Sequence, residues 1–252
     1  MLPAIFVSHG APTLPFDPVP ARDFLRGLGQ SLPRPKAILV VSAHWETDAS
    51  AITIADPNST IHDFYGFPQP LYELRYDAPG APAAAERVAG LLEQARLPAP
   101  IRAERGLDHG AWVPLMLMFP EVDIPVLQLS IQPRQGVAYH IALGAALKPF
   151  RDDGLILASG GFVHNLGAID WNSGSEPDWS SRFGTWMNHA LTERATGDLI
   201  AYRERAPEAV RAHPTEDHIL PLFVAYGAGE TTRRLHTSAT FGSLRMDAYA
   251  FD

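Results

Sequence analysis

The chain has 252 residues, 46% hydrophobic and 19% charged, which suits one large α/β domain or two small ones and excludes a disordered chain. Its formal charge of −8, with no run of Lys or Arg, argues against nucleic-acid and anionic-membrane partners, since both need a concentrated basic surface. It has no cysteine, which removes disulfides, thiolate nucleophiles and cysteine-held zinc or iron–sulfur sites, so any metal must be bound by nitrogen and oxygen.

In chain order, the first predicted strand is the apolar run at 4–8, too short for a secretion signal and without a basic stretch before it. "GAPTLPFDPVP" follows as a rigid proline-rich loop over a site. Further strands are predicted at 37–43 and 51–55 from short β-branched apolar runs. "APAAAERVAGLLEQARL" is read as a helix with Ala85, Val88, Leu91, Leu92 and Ala95 on one face. A strand at 124–131, a helix over "GVAYHIALGAALKPF", a strand at 154–159 and a helix over "SRFGTWMNHALTERA" come next. "TEDHILPLFVAYG" is read as a helix interrupted near Pro221, and "HTSATFGSLRMDAYAFD" as strand-like pieces that add an edge. Alternating strands and helices predict an α/β fold: one domain over 1–252, with a central mostly parallel or mixed β-sheet flanked by helices on both faces. No apolar run reaches the roughly 20 residues needed to span a bilayer, and a cytoplasmic protein, monomer or small homo-oligomer, is expected.

The ten histidines divide by context. His140 and His189 lie inside predicted helices and His236 begins a predicted terminal strand, positions that ordinary surface or core histidines occupy. His62 sits in an aromatic loop with Phe64, Tyr65, Phe67 and Tyr72, a group that either walls a flat ligand or simply packs the loop. His9 and His44 follow apolar strands directly, and His164 follows its strand through a Gly-Gly turn. His109 and His218 stand at loop-to-helix junctions. Ligands of open α/β sheets bind beyond the carboxyl ends of the strands, so these imidazoles are expected to converge there. Imidazole is the commonest metal ligand, and a catalytic site keeps positions open beside three protein ligands. No compact HExxH or H-x₃-H spacing and no GxSxG is present, so the residues by themselves support a histidine-rich metal site and no particular reaction.

Seven ordered segments, "SHGAP", "PRPKAILVVSAHW", "TIHDFYGFPQPLYELRY", "GLDHGAWVPL", "VLQLSI", "SGGFVHNL" and "HPTEDHILPL", run from residue 8 to residue 222. Together they resemble a class III extradiol ring-cleavage dioxygenase of the plant DOPA-dioxygenase-like type. The resemblance implies that His9, His44 and His218 are metal ligands. It implies that His164 is the acid–base catalyst beside the metal, a residue that sometimes appears as a fourth ligand, and that His109 is a second pocket histidine. Fe(II) is the ion expected for activity, although related structures often carry zinc. Oxygenase triads in general pair two histidines with a carboxylate, so ligation by Glu216 or Asp217 beside His218 stays open.

The reaction implied is insertion of both atoms of O2 into a catechol-type aromatic diol, DOPA-like or otherwise. In that reading His164 handles protons, His109 orients a substrate oxygen, and His62, Phe64 and Tyr65 contact the substrate. Two alternatives use the same histidines: a zinc-dependent hydrolase in which the metal activates water, and a metal-binding interaction protein without activity.

Overall fold

The computed structural model describes residues 1–98, 100–170 and 175–252. In chain order its elements are β1 (Ala4–Ser8), α1 (Pro20–Ser31), β2 (Ala37–Glu46), β3 (Ala51–Thr53), α2 (Pro82–Gln94), β4 (Ile101–Ala103), α3 (His109–Met118) and β5 (Val126–Ile131). They continue with α4 (Gly136–Leu147), β6 (Gly154–Gly160), α5 (Asp178–Thr192), α6 (Thr196–Ile200), α7 (Tyr202–Arg205), α8 (Ala209–Ala212) and α9 (Leu220–Gly227). The chain closes with β7 (Thr232–His236), the short hairpin of β8 (Ala239–Thr240) and β9 (Leu244–Arg245), and β10 (Ala248–Phe251).

Among the described residues, one eight-stranded sheet runs in the order β4-β3-β5-β2-β6-β1-β10-β7. Its centre, β5-β2-β6-β1, is wholly parallel, while β10 and β7 pair antiparallel at one side. The parallel strands are buried along their length, as continuous apolar runs such as "AILVV" require. Alternate residues point to opposite faces. Leu39, Val41, Leu127, Leu129 and Ile156 meet one helical layer that includes α2, α4, α5 and α9. Ile38, Val40, Val126, Leu155 and Leu157 meet the other, built on α1 and α3. This is the predicted α/β architecture, a mixed sheet covered on both faces.

Four details differ from the sequence reading. β2 runs on through Glu46, so His44 lies in a strand extension and not after the strand; its pairing with β5 shifts between Val41 and Glu46, which lifts this segment out of the ladder. Pro221 sits in the first turn of α9 and starts the helix, where its missing N–H removes no intrahelical bond. The C-terminal β10 is no edge: it lies between β1 and β7, and His236 ends β7. Helix α1, which begins at Pro20, had no counterpart in the reading of the pattern. Among the described residues no helix is long and apolar enough to cross a membrane.

Register decides where the strands end. Val7 of β1 and Ser42 of β2 both stand level with Ser159 of β6, the strand between them. His9 and His44 each lie two residues beyond that common row, so three neighbouring strands deliver their termini to one place. Helices α4 and α9 pack backbone to backbone beneath one face: a Cβ on Gly144 would lie 2.0 Å from Val224 O, and one on Gly227 2.0 Å from Ile141 O. Gly144→Ala should therefore destabilise the protein by about 1–3 kcal/mol through overpacking, although Ala is the better helix former by ~1 kcal/mol. Urea midpoints of wild type and variant check the sign.

Candidate metal centre

The site is assembled from strand ends and helix starts. His9 follows β1, and its backbone N–H donates to Gly160 O at 3.0 Å. His218 comes from the loop ahead of α9, and its carbonyl accepts from Gly161 N at 2.9 Å. That approach needs glycine at 160, since a Cβ there would lie 2.1 Å from His218 O. His109 is the first residue of α3, whose N-cap is the fully buried Asp108. The Asp108 carboxylate accepts from Ser42 Oγ at 2.6 Å, Gln128 Nε2 at 2.9 Å and Ala111 N at 3.2 Å, tying α3 to β2 and β5. Arg105 bridges Asp108 and the carbonyl of His44, each at 3.3 Å.

The hydrogen bonds assign the imidazole tautomers. Ser159 Oγ donates its single proton to Gly110 O, so its contact with His9 Nδ1 at 3.0 Å requires a proton on that nitrogen. His109 Nδ1 donates to Asp63 Oδ1 at 3.0 Å, and the same oxygen accepts the His109 backbone N–H at 2.9 Å. His218 Nδ1 donates to Asp217 Oδ2. His44 Nδ1 faces the other Asp63 oxygen at 3.6 Å. His9, His109 and His218 thus keep a bare lone pair on Nε2, and His44 Nε2, 3.0 Å from that of His9, is placed to donate to it.

Those lone pairs converge. His9 Nε2 and His44 Nε2 stand 3.0 Å apart, and among the described residues nothing hydrogen-bonds the buried His218 Nε2. Ligand atoms of His9, His44 and His218 all lie within 4.8 Å of one another. Burial keeps the rings neutral: it lowers the pKa of His44 to about 4 and of His218 to about 3, and it pushes His9 well down, helped by the neighbouring imidazoles. Asp63 is held at about 2: burial opposes its ionisation, but the hydrogen bonds from the His109 side chain and backbone outweigh it. Three neutral imidazoles, with the outer nitrogens of His9 and His218 hydrogen-bonded to Ser159 and Asp217, make a donor set that fits a divalent cation.

The other expected residues are distributed unevenly. His164 lines the same cavity and stacks on His218, with centroids 3.4 Å apart and planes 5° off parallel. His109 lines it too, 4.0 Å from the His44 ring. Phe64 and Phe67 form part of the wall, but Tyr65 is 92% exposed and lies away from it. His62 is also outside the cavity; its Nε2 lies 3.1 Å from both Leu74 O and Arg75 Nη1, and its ring backs Phe64 and Trp112. Asp63, between His62 and Phe64, was passed over in the sequence because its partner lies 46 residues on. Asp217 occupies the outer nitrogen of His218. The cavity itself, about 390 Å³, is closed by Gly10–Pro12 on one side and by Phe241, Leu244 and Met246 from the C-terminal hairpin on the other.

Comparison with known proteins places the chain in a family. The family described as the catalytic LigB subunit of aromatic ring-opening dioxygenase matches residues 4–248. The chain belongs to that family, the class III extradiol dioxygenases, and is accordingly an oxidoreductase. It is similar to 4,5-DOPA dioxygenase extradiol of Beta vulgaris, 42% identical over 98% of this chain and 95% of the relative. The protein of the same name from Escherichia coli K12 is 41% identical over 90% and 85%, respectively. Dioxygenase tasH of Hapsidospora irregularis is 32% identical over 100% and 85%. Among solved structures, an uncharacterised Escherichia coli K12 protein superposes with a TM-score of 0.82 at 32% identity, covering all of both chains.

Nitrogen NMR of the metal-free protein at neutral pH should report Nδ1-protonated, Nε2-bare imidazoles for His9, His109 and His218. An Nε2–H tautomer at any of them would overturn the hydrogen-bond assignment there.

Proposed function

We propose that His9, His44 and His218 hold a divalent metal through Nε2, and that the protein opens a catechol ring at this centre with dioxygen. The observation that carries this reading is the convergence of three imidazoles: ligand atoms of all three lie within 4.8 Å of one another, and no described group hydrogen-bonds the buried His218 Nε2. Burial lowers the proton affinity of all three rings, which keeps them neutral and able to donate lone pairs to a cation. Fe(II) is the ion proposed, because imidazole suits it and Zn(II) has no accessible redox change. When bound, such an ion supplies open positions for catechol oxygens and a route for electrons from ring to dioxygen.

The chain's own groups do the rest. Asp63 fixes the proton of His109 on Nδ1, so Nε2 is an acceptor that orients a substrate hydroxyl. His164 is neutral at pH 7, since burial lowers its pKa to about 4, and it is the base that takes a catechol proton and later returns it. The charge of Asp217 favours the imidazolium formed in that step. Stacking on His218 holds the His164 ring in one plane while the proton moves. Phe64 and Phe67 flank the flat substrate ring and exclude water.

His9→Ala, His44→Ala and His218→Ala should each retain less than about one tenth of the wild-type metal after desalting, because two imidazoles chelate too weakly. Elemental analysis reads this directly. A fully loaded His218→Ala protein would hand the third position to Asp217 or Glu216. With the wild type, Fe(II) should support oxygen uptake on a catechol and Zn(II) should not; hydrolytic turnover by the zinc form would sink the oxygenase reading.

His164→Phe should keep its metal and still bind catechol while kcat falls by roughly 10²–10⁴-fold, the usual contribution of a positioned acid–base group. Metal stoichiometry and single-turnover ring opening on one sample separate the possibilities. Loss of metal makes His164 a ligand, and unchanged turnover removes it from the chemistry.

A further inference from the structure

His44 differs from the other two imidazoles of the centre in what stands behind it. His9 Nδ1 donates to Ser159 and His218 Nδ1 to Asp217, so both rings hold Nε2 open. Among the described residues, the carboxylate oxygen within ion-pair reach of His44 Nδ1 is Asp63 Oδ2. It stands at 3.6 Å, about half an ångström beyond hydrogen-bonding distance. The His44 proton is instead placed on Nε2, where the His9 Nε2 lone pair accepts it at 3.0 Å. A neutral imidazole carries one N–H, and the nitrogen that carries it has no lone pair for a cation.

Asp63 is placed to serve two rings. Its Oδ1 accepts both the Nδ1–H and the backbone N–H of His109, at 3.0 and 2.9 Å, which fixes the carboxylate with Oδ2 toward His44. The His44 ring is confined on its other side: a Cβ on Gly110 would lie 2.8 Å from Cδ2, the ring atom opposite Nδ1. The backbone N–H of His44 donates to Ser42 Oγ at 3.2 Å, and its carbonyl accepts from Arg105 Nη2 at 3.3 Å. With the main chain held on both sides, a small tilt of the ring closes the gap to Oδ2.

We propose that Asp63 is a positioning residue shared by His44 and His109, and that His44 changes tautomer when the centre is loaded. A proton leaves Nε2 for solvent, one from solvent arrives on Nδ1, and Asp63 Oδ2 accepts the new N–H. No net proton is exchanged, and the Nε2 lone pair is freed. The inference rests on the reading of His9, His44 and His218 as ligands through Nε2, and it adds the group that makes the His44 nitrogen available. One carboxylate then holds a ligand and the pocket histidine His109 as a single unit.

Zn(II) alone is the probe, a d¹⁰ ion that leaves nitrogen resonances readable. Long-range proton–nitrogen spectra of the wild type should show His44 protonated on Nε2 without metal and on Nδ1 with Zn(II), while His109 stays Nδ1-protonated throughout. In Asp63→Asn the amide oxygen stays with the two His109 donors and the NH2 group faces His44 Nδ1, which favours the Nε2–H tautomer. Competition with a chelator should therefore give this variant a Zn(II) Kd roughly 10–100-fold weaker, the usual cost of losing the partner behind a ligating imidazole. A metal-free His44 already protonated on Nδ1, or an unchanged Kd in Asp63→Asn, overturns the proposal and leaves the three ligands in place. Zn(II) that leaves the wild-type Nε2 resonances of His9, His44 and His218 unmoved overturns the metal reading itself. The wild-type spectra decide even where the variant does not fold.

Discussion

The convergence of three imidazoles on one point is the constraint on which the structure turns. His9 and His44 lie two residues beyond a common row of β1 and β2, and their Nε2 atoms meet at 3.0 Å. Ser159 holds the far nitrogen of His9 and Asp217 that of His218, and burial lowers the affinity of each ring for a proton. The fold thus maintains neutral nitrogen donors close together, where a cation could bind them.

Much of the surrounding architecture serves that convergence. Asp108, buried and hydrogen-bonded to Ser42, Gln128 and the first turn of α3, fixes the spacing between β2, β5 and the helix carrying His109. The loop before α9 presses its backbone onto Gly160 and Gly161, which sets the height of His218 relative to the strand ends. Carboxylates stand behind the imidazoles and apolar side chains stand in front. The first arrangement strengthens the rings as donors and the second keeps water from competing for whatever they hold.

A good deal of this was legible in the chain before folding. Apolar runs such as "AILVV" and "LILAS" correspond to β2 and β6 because parallel strands covered on both faces need no polar alternation. The helical face of Ala85, Val88 and Leu92 is buried as its spacing implies. Strand order was not legible, because "DAYAFD" reads the same whether its strand lies at an edge or, as β10 does, next to β1. Pro221 misled for a local reason: the same residue that breaks a helix interior is well placed in a first turn, and only the position of the helix start distinguishes the two.

The sequence by itself determined which groups were available: no thiol, ten imidazoles, and five of them at the ends of predicted elements. That is chemistry and local periodicity, which a chain carries residue by residue. Tertiary structure alone decided which nitrogen is bare on His9 and His109, because the partner that takes the other proton is remote: Ser159 for His9, 150 residues away, and Asp63 for His109, 46 away. It also separated Phe64, in the wall, from its neighbour Tyr65, which points to solvent. And it neutralised Arg245 by folding Asp247 and Glu176 onto it. Tautomer, exposure and charge pairing are properties of neighbours in space, and a linear pattern specifies neighbours only along the chain.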